Sequence, residues 1–301
     1  MILLKTQDYY KLEQSLKTVE INHLFAQTVI EQKMDGEIYA DDPQKPSTVY
    51  VKHSYGMALL YGRTDNETFN QNLVNYLLNK EKKRNAGEWL QVFPHEWNTK
   101  LEELLAGHFA EPTANPSENK QKVIQSTRVN FRFNKSKYIS VIQTITPELK
   151  LVRTTAEQFS QITGTVVPRY FWRNKREFGQ QSVGFSLMDG DDPVSTAFAS
   201  FVHDPQLELG IETRSESQGL GLAQITCSAL IDYCISNNYE PVWACRLENT
   251  GSYKLAQKLG FEPIRMIPYY QLPWQSYPES EVNKAQTVED MFVYSYHLHK
   301  I

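Results

Sequence analysis

Hydrophobic residues recur along this chain with two periods, and most regularly in its second half. Gln206 to Thr213 (QLELGIET) sets Leu207, Leu209 and Ile211 on one side and Glu208, Gly210 and Glu212 on the other, the alternation of a strand. The chain then runs through SESQGLGLA into a segment with Leu222, Ile225, Ala229, Leu230 and Tyr233 on one side, which predicts a helix ending near Asn237-Asn238. Pro241 to Cys245 predicts a strand and Gly251 to Leu259 a helix capped by Gly260, with a further strand from Phe261. Upstream, Leu149 to Arg153 predicts a strand and Ala156 to Ile162 a helix. Gly184 to Met188 and Val194 to Val202 predict a strand pair across the polar turn at Asp189 to Pro193. Met291 to His297 is the expected last strand.

The first half is patterned less sharply. Thr48 to Tyr61 (TVYVKHSYGMALLY) reads as one alternating strand, followed by an amphipathic helix over Asn66 to Lys80 with Phe69, Leu73, Tyr76 and Leu77 inward. A short strand at Trp89 to Phe93 and a helix at Glu96 to Ala106 come next. Ala110 to Lys122 gathers Pro, Ser, Asn and charges and reads as a loop, and Val129, Phe131 and Phe133 mark a closing strand before the polar break at Asn134 to Lys137. These breaks predict a seam near residue 140. Two domains are expected: residues 1–140, mixed α/β without a catalytic signature, and residues 141–301, a mixed sheet flanked by helices.

Composition narrows the class. At 301 residues, 41% hydrophobic and 22% charged, the chain is long enough for two cores and close to the average of globular proteins. The apolar run at the N-terminus stops after Leu4, which gives neither a signal-peptide core nor a membrane span. Cys227, Cys234 and Cys245 form no CxxC pair, so a cytoplasmic protein without disulfides or a zinc site is expected. Net charge is −4 with no dense basic stripe, which gives a nucleic-acid partner no footprint. The mildly basic KQKVIQSTRVNFRFNKSKY reads as a strand with a solvated face, and His23, His53, His95 and His108 as surface or packed residues, with no metal site.

The chemistry concentrates where the QLELGIET strand meets the next helix. A helix's first turn carries unpaired N–H groups and the positive end of its dipole, so it binds a phosphate without a lysine. Gly219 and Gly221 remove side chains where such a group approaches the backbone, although many strand-to-helix turns carry glycine for geometry alone.

The ordered set from Phe171 to Tyr270 resembles the coenzyme-A-binding core of the GNAT acetyltransferase superfamily. It comprises Ile211-Glu212-Thr213 ending a strand, Gln218-Gly219-Leu220-Gly221 in the turn, Trp243-Ala244-Cys245 in the next strand, Asn249 and Ser252 opening a helix, and Lys258-Leu259-Gly260-Phe261 closing it. YFWRNKREF and SLMDGDDPVSTAFAS resemble the zwittermicin-resistance-type branch, which has a divergent N-terminal domain. The resemblance implies a GNAT-like mixed sheet in the second domain, and leaves open whether the first is a degenerate copy. It implies acetyl-CoA as co-substrate, a small-molecule amine as acceptor, and no nucleic-acid or membrane partner. Ile211 and Thr213 would pair through the backbone with the pantetheine arm, and the N–H groups of Gln218, Gly219, Leu220, Gly221 and Leu222 would hold the pyrophosphate. Asn249 and Ser252 would approach the cofactor arm, with a plain helix N-cap the alternative for Asn249.

Two positions depart from the family pattern. Glu216 stands where the turn usually begins with Arg or Gln, with Arg214 near enough in sequence to offset its charge, and Ala256 stands where many members carry a Tyr general acid. An alkylammonium must lose a proton before its nitrogen attacks a thioester, so a base is needed. Glu208 and Glu212, on one side of the strand leading to the cofactor, are the candidates, with a solvated strand face as the alternative for each and His203 third. Tyr170, Phe171, Trp172, Tyr269 and Tyr270 are candidates for acceptor-pocket walls or core packing. A non-catalytic acyl-CoA-binding or interaction module is the competing reading.

Overall fold

The computed structural model describes residues 1–82, 84, 86–110, 122–142 and 146–274. Residues 111–121 of the expected loop and the strand expected at Met291 to His297 lie outside them. The chain forms two compact units, Met1–Arg128 with Ile267–Ile301, and Val129–Met266. This division differs from a single seam near residue 140. The chain passes from one unit to the other within two strands, β6 (Ile124–Phe133) and β12 (Phe261–Leu272).

In the first unit, β1 (Ile2–Leu3), β2 (Gly36–Ala40), β3 (Thr48–His53) and β4 (Met57–Gly62) pair antiparallel in sequence order. β4 then pairs in parallel with β5 (Glu88–Phe93) over five residues, Met57–Tyr61 against Trp89–Phe93. Thr48 to Tyr61 is therefore a hairpin and not one strand. The N–H of Gly56 bonds back to the His53 carbonyl at 2.9 Å, and φ of +92° at Gly56 turns the chain. Helices α1 (Glu13–Leu16) and α2 (Leu24–Ile30) precede β2, α3 (Glu67–Leu77) joins β4 to β5, and α4 (Glu96–Leu104) follows β5. Asn66 caps α3, its side chain accepting from the Phe69 N–H at 3.0 Å.

The second unit repeats this order. β7 (Leu149–Arg153), β8 (Gly184–Asp189), β9 (Asp192–His203) and β10 (Gln206–Thr213) pair antiparallel, and helices α5 (Gln158–Gln161) and α6 (Lys175–Gln181) lie between β7 and β8. After β10 come α7 (Leu222–Ser236), β11 (Glu240–Arg246), parallel to β10, and α8 (Thr250–Lys258). The helix expected over Ala156 to Ile162 shrinks to α5, whereas α7, α8 and the strands around them fall where hydrophobic period and caps predicted. The core of this unit joins Leu207, Leu209, Leu230, Ile231, Trp243 and Phe261, all buried. The mixed α+β class, with the second unit built as a mixed sheet flanked by helices, is the architecture observed.

Two buried groups in the first unit show how its interior treats charge. Glu88 is 1% exposed and accepts from the Tyr50 hydroxyl at 2.7 Å and the Tyr76 hydroxyl at 2.8 Å, with the Arg84 guanidinium 3.6 Å away. His53 is fully buried, and burial lowers its imidazole to about 3. The unfolded chain takes up a proton at this residue below about pH 6.5 and the folded chain does not until about pH 3. Stability from this residue is thus complete above pH 6.5 and falls on acidification by up to about 1.4 kcal/mol per pH unit. Urea midpoints measured between about pH 6.5 and pH 4.5 are expected to fall more steeply for the wild type than for His53→Gln; parallel curves would show that His53 does not contribute.

Candidate functional site

In the second unit the parallel pair β10–β11 separates after a short start. Gln206, Leu207 and Glu208 pair with Glu240, Pro241 and Val242, and the ladder stops there. β10 continues to Thr213 paired with β9 alone, passing a bulge at Glu208/Leu209. In an antiparallel ladder alternate residues direct N–H and C=O away from the partner, so part of the Leu209–Thr213 backbone faces a gap on the β11 side. The corresponding pair in the first unit, β4–β5, stays joined over its five residues and opens no such wedge.

The wedge leads to the glycine turn. Gly219 has φ of +80° and Gly221, the N-cap of α7, +79°, values that L-residues rarely adopt. A side chain built on either would meet nothing within 4 Å, so the space before the helix is open. The N–H groups of the first turn of α7, a 15-residue helix, look into that space with the positive end of the dipole behind them. The Gln218 amide donates to the Thr213 carbonyl at 3.1 Å and closes the loop on itself. Thr213 Oγ1 bonds Ser195 Oγ at 2.8 Å, which bonds Thr226 Oγ1 at 3.2 Å, tying the end of β10 to the first turns of α7. The strand end and the helix mouth are held in register before any ligand arrives.

Glu216 is exposed. Its own N–H and the Ser215 hydroxyl, at 3.0 Å, hold its carboxyl below the usual carboxylate range. Arg214 does not fold onto it but donates to Asp192 at 3.1 Å. Asn249 caps α8, accepting from the Ser252 N–H at 3.1 Å, and the Trp243 indole donates to Ser252 Oγ at 3.2 Å. Both expected cofactor contacts therefore sit at the mouth of α8, each with a structural bond of its own. Ala256 is fully buried and brings no acid. Burial raises the Cys227 and Cys234 thiols, which removes them as nucleophiles.

The two carboxylates proposed as bases differ in surroundings. Glu208 is 5% exposed and sits at the last paired position before the strands part. Glu212 Oε2 accepts from the Thr165 N–H at 2.7 Å, the Val166 N–H at 2.8 Å and the Thr165 hydroxyl at 3.3 Å. Gly164, with φ of +135°, lies so close that any side chain there would collide with this carboxylate. Glu212 thus fastens the segment that leads to Phe171 and Trp172. Phe171 packs against Phe198 and Phe201, the Trp172 indole bonds the Ala199 carbonyl at 2.9 Å, and both rings are buried. They are core residues, as are Tyr269 and Tyr270 in the first unit. Tyr170 is half-buried under the Arg169 guanidinium, 4.9 Å from its ring centre. His203 ends β9 beside Gln206, at the opposite end of β10 from the turn.

Two features escaped sequence reading: the hydroxyl chain from Thr213 to Thr226, and the Glu212 fastening. Among the described residues no group of acidic, His or Cys side chains is arranged to hold a metal, and no helix is long and apolar enough to cross a membrane.

Comparison with known proteins agrees with this geometry. The chain matches the GNAT acetyltransferase family over residues 15–270. It is 24% identical over 250 residues to the uncharacterized N-acetyltransferase YdfB of Bacillus subtilis, covering 82% of this chain and 89% of that protein. A GCN5-related N-acetyltransferase-like protein from Streptococcus suis superposes with a TM-score of 0.66 at 17% identity, over 87% of this chain and 98% of the other. A tandem GNAT protein from the clavulanic acid biosynthesis pathway superposes with a TM-score of 0.59 at 8% identity, over 92% and 99%.

The Glu212 fastening can be measured. Glu212→Ala strands two backbone donors and is expected to cost about 1–3 kcal/mol in urea denaturation, with Glu212→Gln losing less. Gly164→Ala is expected to destabilise as well, by about 1 kcal/mol or more, from its backbone angle and the contact together. An unchanged midpoint for Glu212→Ala would show that the segment does not depend on this carboxylate.

Proposed function

This chain belongs to the GNAT acetyltransferase family, and from that premise we propose that the second unit transfers the acetyl group of acetyl-CoA to a primary amine of a small molecule. The observation that carries the proposal is the wedge between β10 and β11 opening onto the Gly219–Gly221 turn. The residues fit the co-substrate. Main-chain groups at Ile211 and Thr213 are suited to pair with an amide-bearing pantetheine arm, and the N–H groups from Gln218 to Leu222 with a pyrophosphate. Bound there, acetyl-CoA supplies an activated acyl group.

The chain's own part is binding, orientation and proton removal. Glu208, buried where the wedge begins, is the base we favour for the acceptor ammonium. About five strand residues separate it from the turn, roughly 17 Å at the rise of an extended chain. That span suits a molecule anchored by its phosphates at one end and reacting at the other. Glu212 Oε2 is engaged by Thr165 and Val166, which suits this carboxylate better to positioning. Asn249 and Ser252, at the start of α8 just after β11, are the side chains assigned to the cofactor arm. The exposed, ionised Glu216 opposes a pyrophosphate only through solvent, where an isolated charge has modest effect.

The segment Tyr170 to Phe178 and the β8–β9 hairpin support membership of the zwittermicin-resistance-type branch. Free, buried cysteines support a cytoplasmic setting. The domain reading that follows is a catalytic second unit, Val129–Met266, set within a copy of the fold whose corresponding strands stay paired.

Acetyl-CoA at about 100 times its dissociation constant is expected to add about 2.7 kcal/mol of stability, read as a rise in Tm, and Gly219→Val to abolish the rise. Glu208→Gln is expected to keep that binding and to lower coenzyme A release with a panel of primary amines by about 10²- to 10⁴-fold. A Tm indifferent to acetyl-CoA would remove the coenzyme assignment. Unchanged turnover in Glu208→Gln would remove only the base.

A further inference from the structure

The stretch from Thr165 to Trp172 lies over the face of β10 that carries Glu208, Gly210 and Glu212. Directly opposed residues of an antiparallel ladder point the same way, and Glu208 stands opposite Phe201. Phe171 packs against both Phe201 and Phe198, and a side chain on Gly210 would run into the Phe198 ring, so these residues share that face. The stretch is pinned at both ends. The Thr165 and Val166 N–H groups hold Glu212, and the Trp172 indole holds the Ala199 carbonyl. Between the pins Val167, Pro168 and Phe171 are buried, while Arg169 and Tyr170 are half-buried.

Arg169 has only neutral neighbours. Its guanidinium lies over the Tyr170 ring, 4.9 Å from the centre, donates to the Ile162 carbonyl and comes within 3.5 Å of the Tyr170 hydroxyl. Among the described residues no carboxylate forms an ion pair with it. Arg173 and Arg214, by contrast, each meet one, Glu177 at 4.0 Å and Asp192 at 3.1 Å. A cation drawn partly out of water without a counter-ion is unfavourable, and a guanidinium with spare N–H groups matches a carboxylate in two parallel bonds. We propose that Arg169 binds a carboxylate of the acceptor, which makes the substrate class a small amino acid; this rests on the acetyl-transfer reading above. Glu208 takes one proton from the ammonium, the nitrogen–carbon bond forms as the carbon–sulfur bond breaks, and a second nitrogen proton passes to the departing thiolate. The carboxylate stays on Arg169 throughout, and the product is an N-acetyl amino acid.

Steady-state acetylation by the full chain tests this, with a panel of L-amino acids and straight-chain amino acids, each beside the amine that lacks only the carboxylate. The expected result is a kcat/KM at least about 10²-fold higher for the preferred amino acid than for its matched amine. Arg169→Gln is expected to bring the two within about tenfold of each other, chiefly by raising KM for the amino acid, and Arg169→Lys to keep part of the preference. Matched amines that serve the wild type as well as amino acids overturn the inference, whatever the variants do. So does a loss shared equally by both series in Arg169→Gln, which is what a purely structural arginine gives, and so does a preference for aminoalkylphosphonates over the amino acids. If acetyl-CoA raises the Tm but no member of the panel is acetylated, this inference fails alone. If acetyl-CoA leaves the Tm unmoved, the acetyl-transfer reading fails first and this inference with it.

Discussion

The arrangement depends on a hydrogen-bond ladder that stops early. Parallel strands bury their main-chain polar groups against each other, and leaving such groups without a partner is costly. β10 nevertheless parts from β11 after Glu208, while β9 still holds it on the other side. A strand half-released in this way is a template for an extended ligand with amide groups. It stays extended because its outer end is tied down: Thr213 through Ser195 to Thr226, and the Thr213 carbonyl to Gln218. The same ties aim the strand at the mouth of α7, so one backbone path runs from the free strand edge to the helix N-terminus, as the proposed binding of coenzyme A requires.

The first unit makes the point by contrast. It has the same succession of three antiparallel strands, a helix, a parallel strand and a helix, yet β4 and β5 remain zipped. Its connection from strand to helix, Gly62-Arg63-Thr64-Asp65-Asn66, contains no glycine after Gly62, ion-pairs Arg63 with Asp65 and ends on an asparagine cap. A carboxylate and a side-chain cap occupy the position where the second unit offers bare N–H groups. Duplicated architecture thus yields one wedge, and the buried Glu88 with its tyrosines belongs to packing within the closed copy.

Much of this was legible in the order of residues. Local period and caps located β10, α7, β11 and α8, because each is long or bounded by Gly, Asn or Pro, and the glycine pair marked the turn. Pairing could not be read, since it depends on partners far apart in sequence. The alternation in QLELGIET does not by itself fix where its ladder with Glu240–Val242 stops; only the family resemblance points to a strand that pairs with a ligand there. Glu212 looked like a free carboxylate because Gly164 and Thr165, which enclose it, lie nearly fifty residues upstream in an unremarkable loop. The hairpin at His53 to Gly56 is hard to see in the sequence because a single glycine is all that marks it within an alternating stretch. Whether the first half repeats the second stays open in the sequence because the first copy lacks the glycine turn that marks the second.

The way the chain is threaded bears on how such a protein can change over generations. Because β6 and β12 each begin in one unit and end in the other, the second unit is inserted as one stretch into the first, which is split in two, and both boundaries fall inside strands. A cut near residue 140 would deprive the second unit of Val129–Phe133, and a cut after Met266 would deprive the first of the strand that pairs with β5. Recombination that swaps one unit for a homologous one must exchange both crossings at once, so the closed copy travels with the open one.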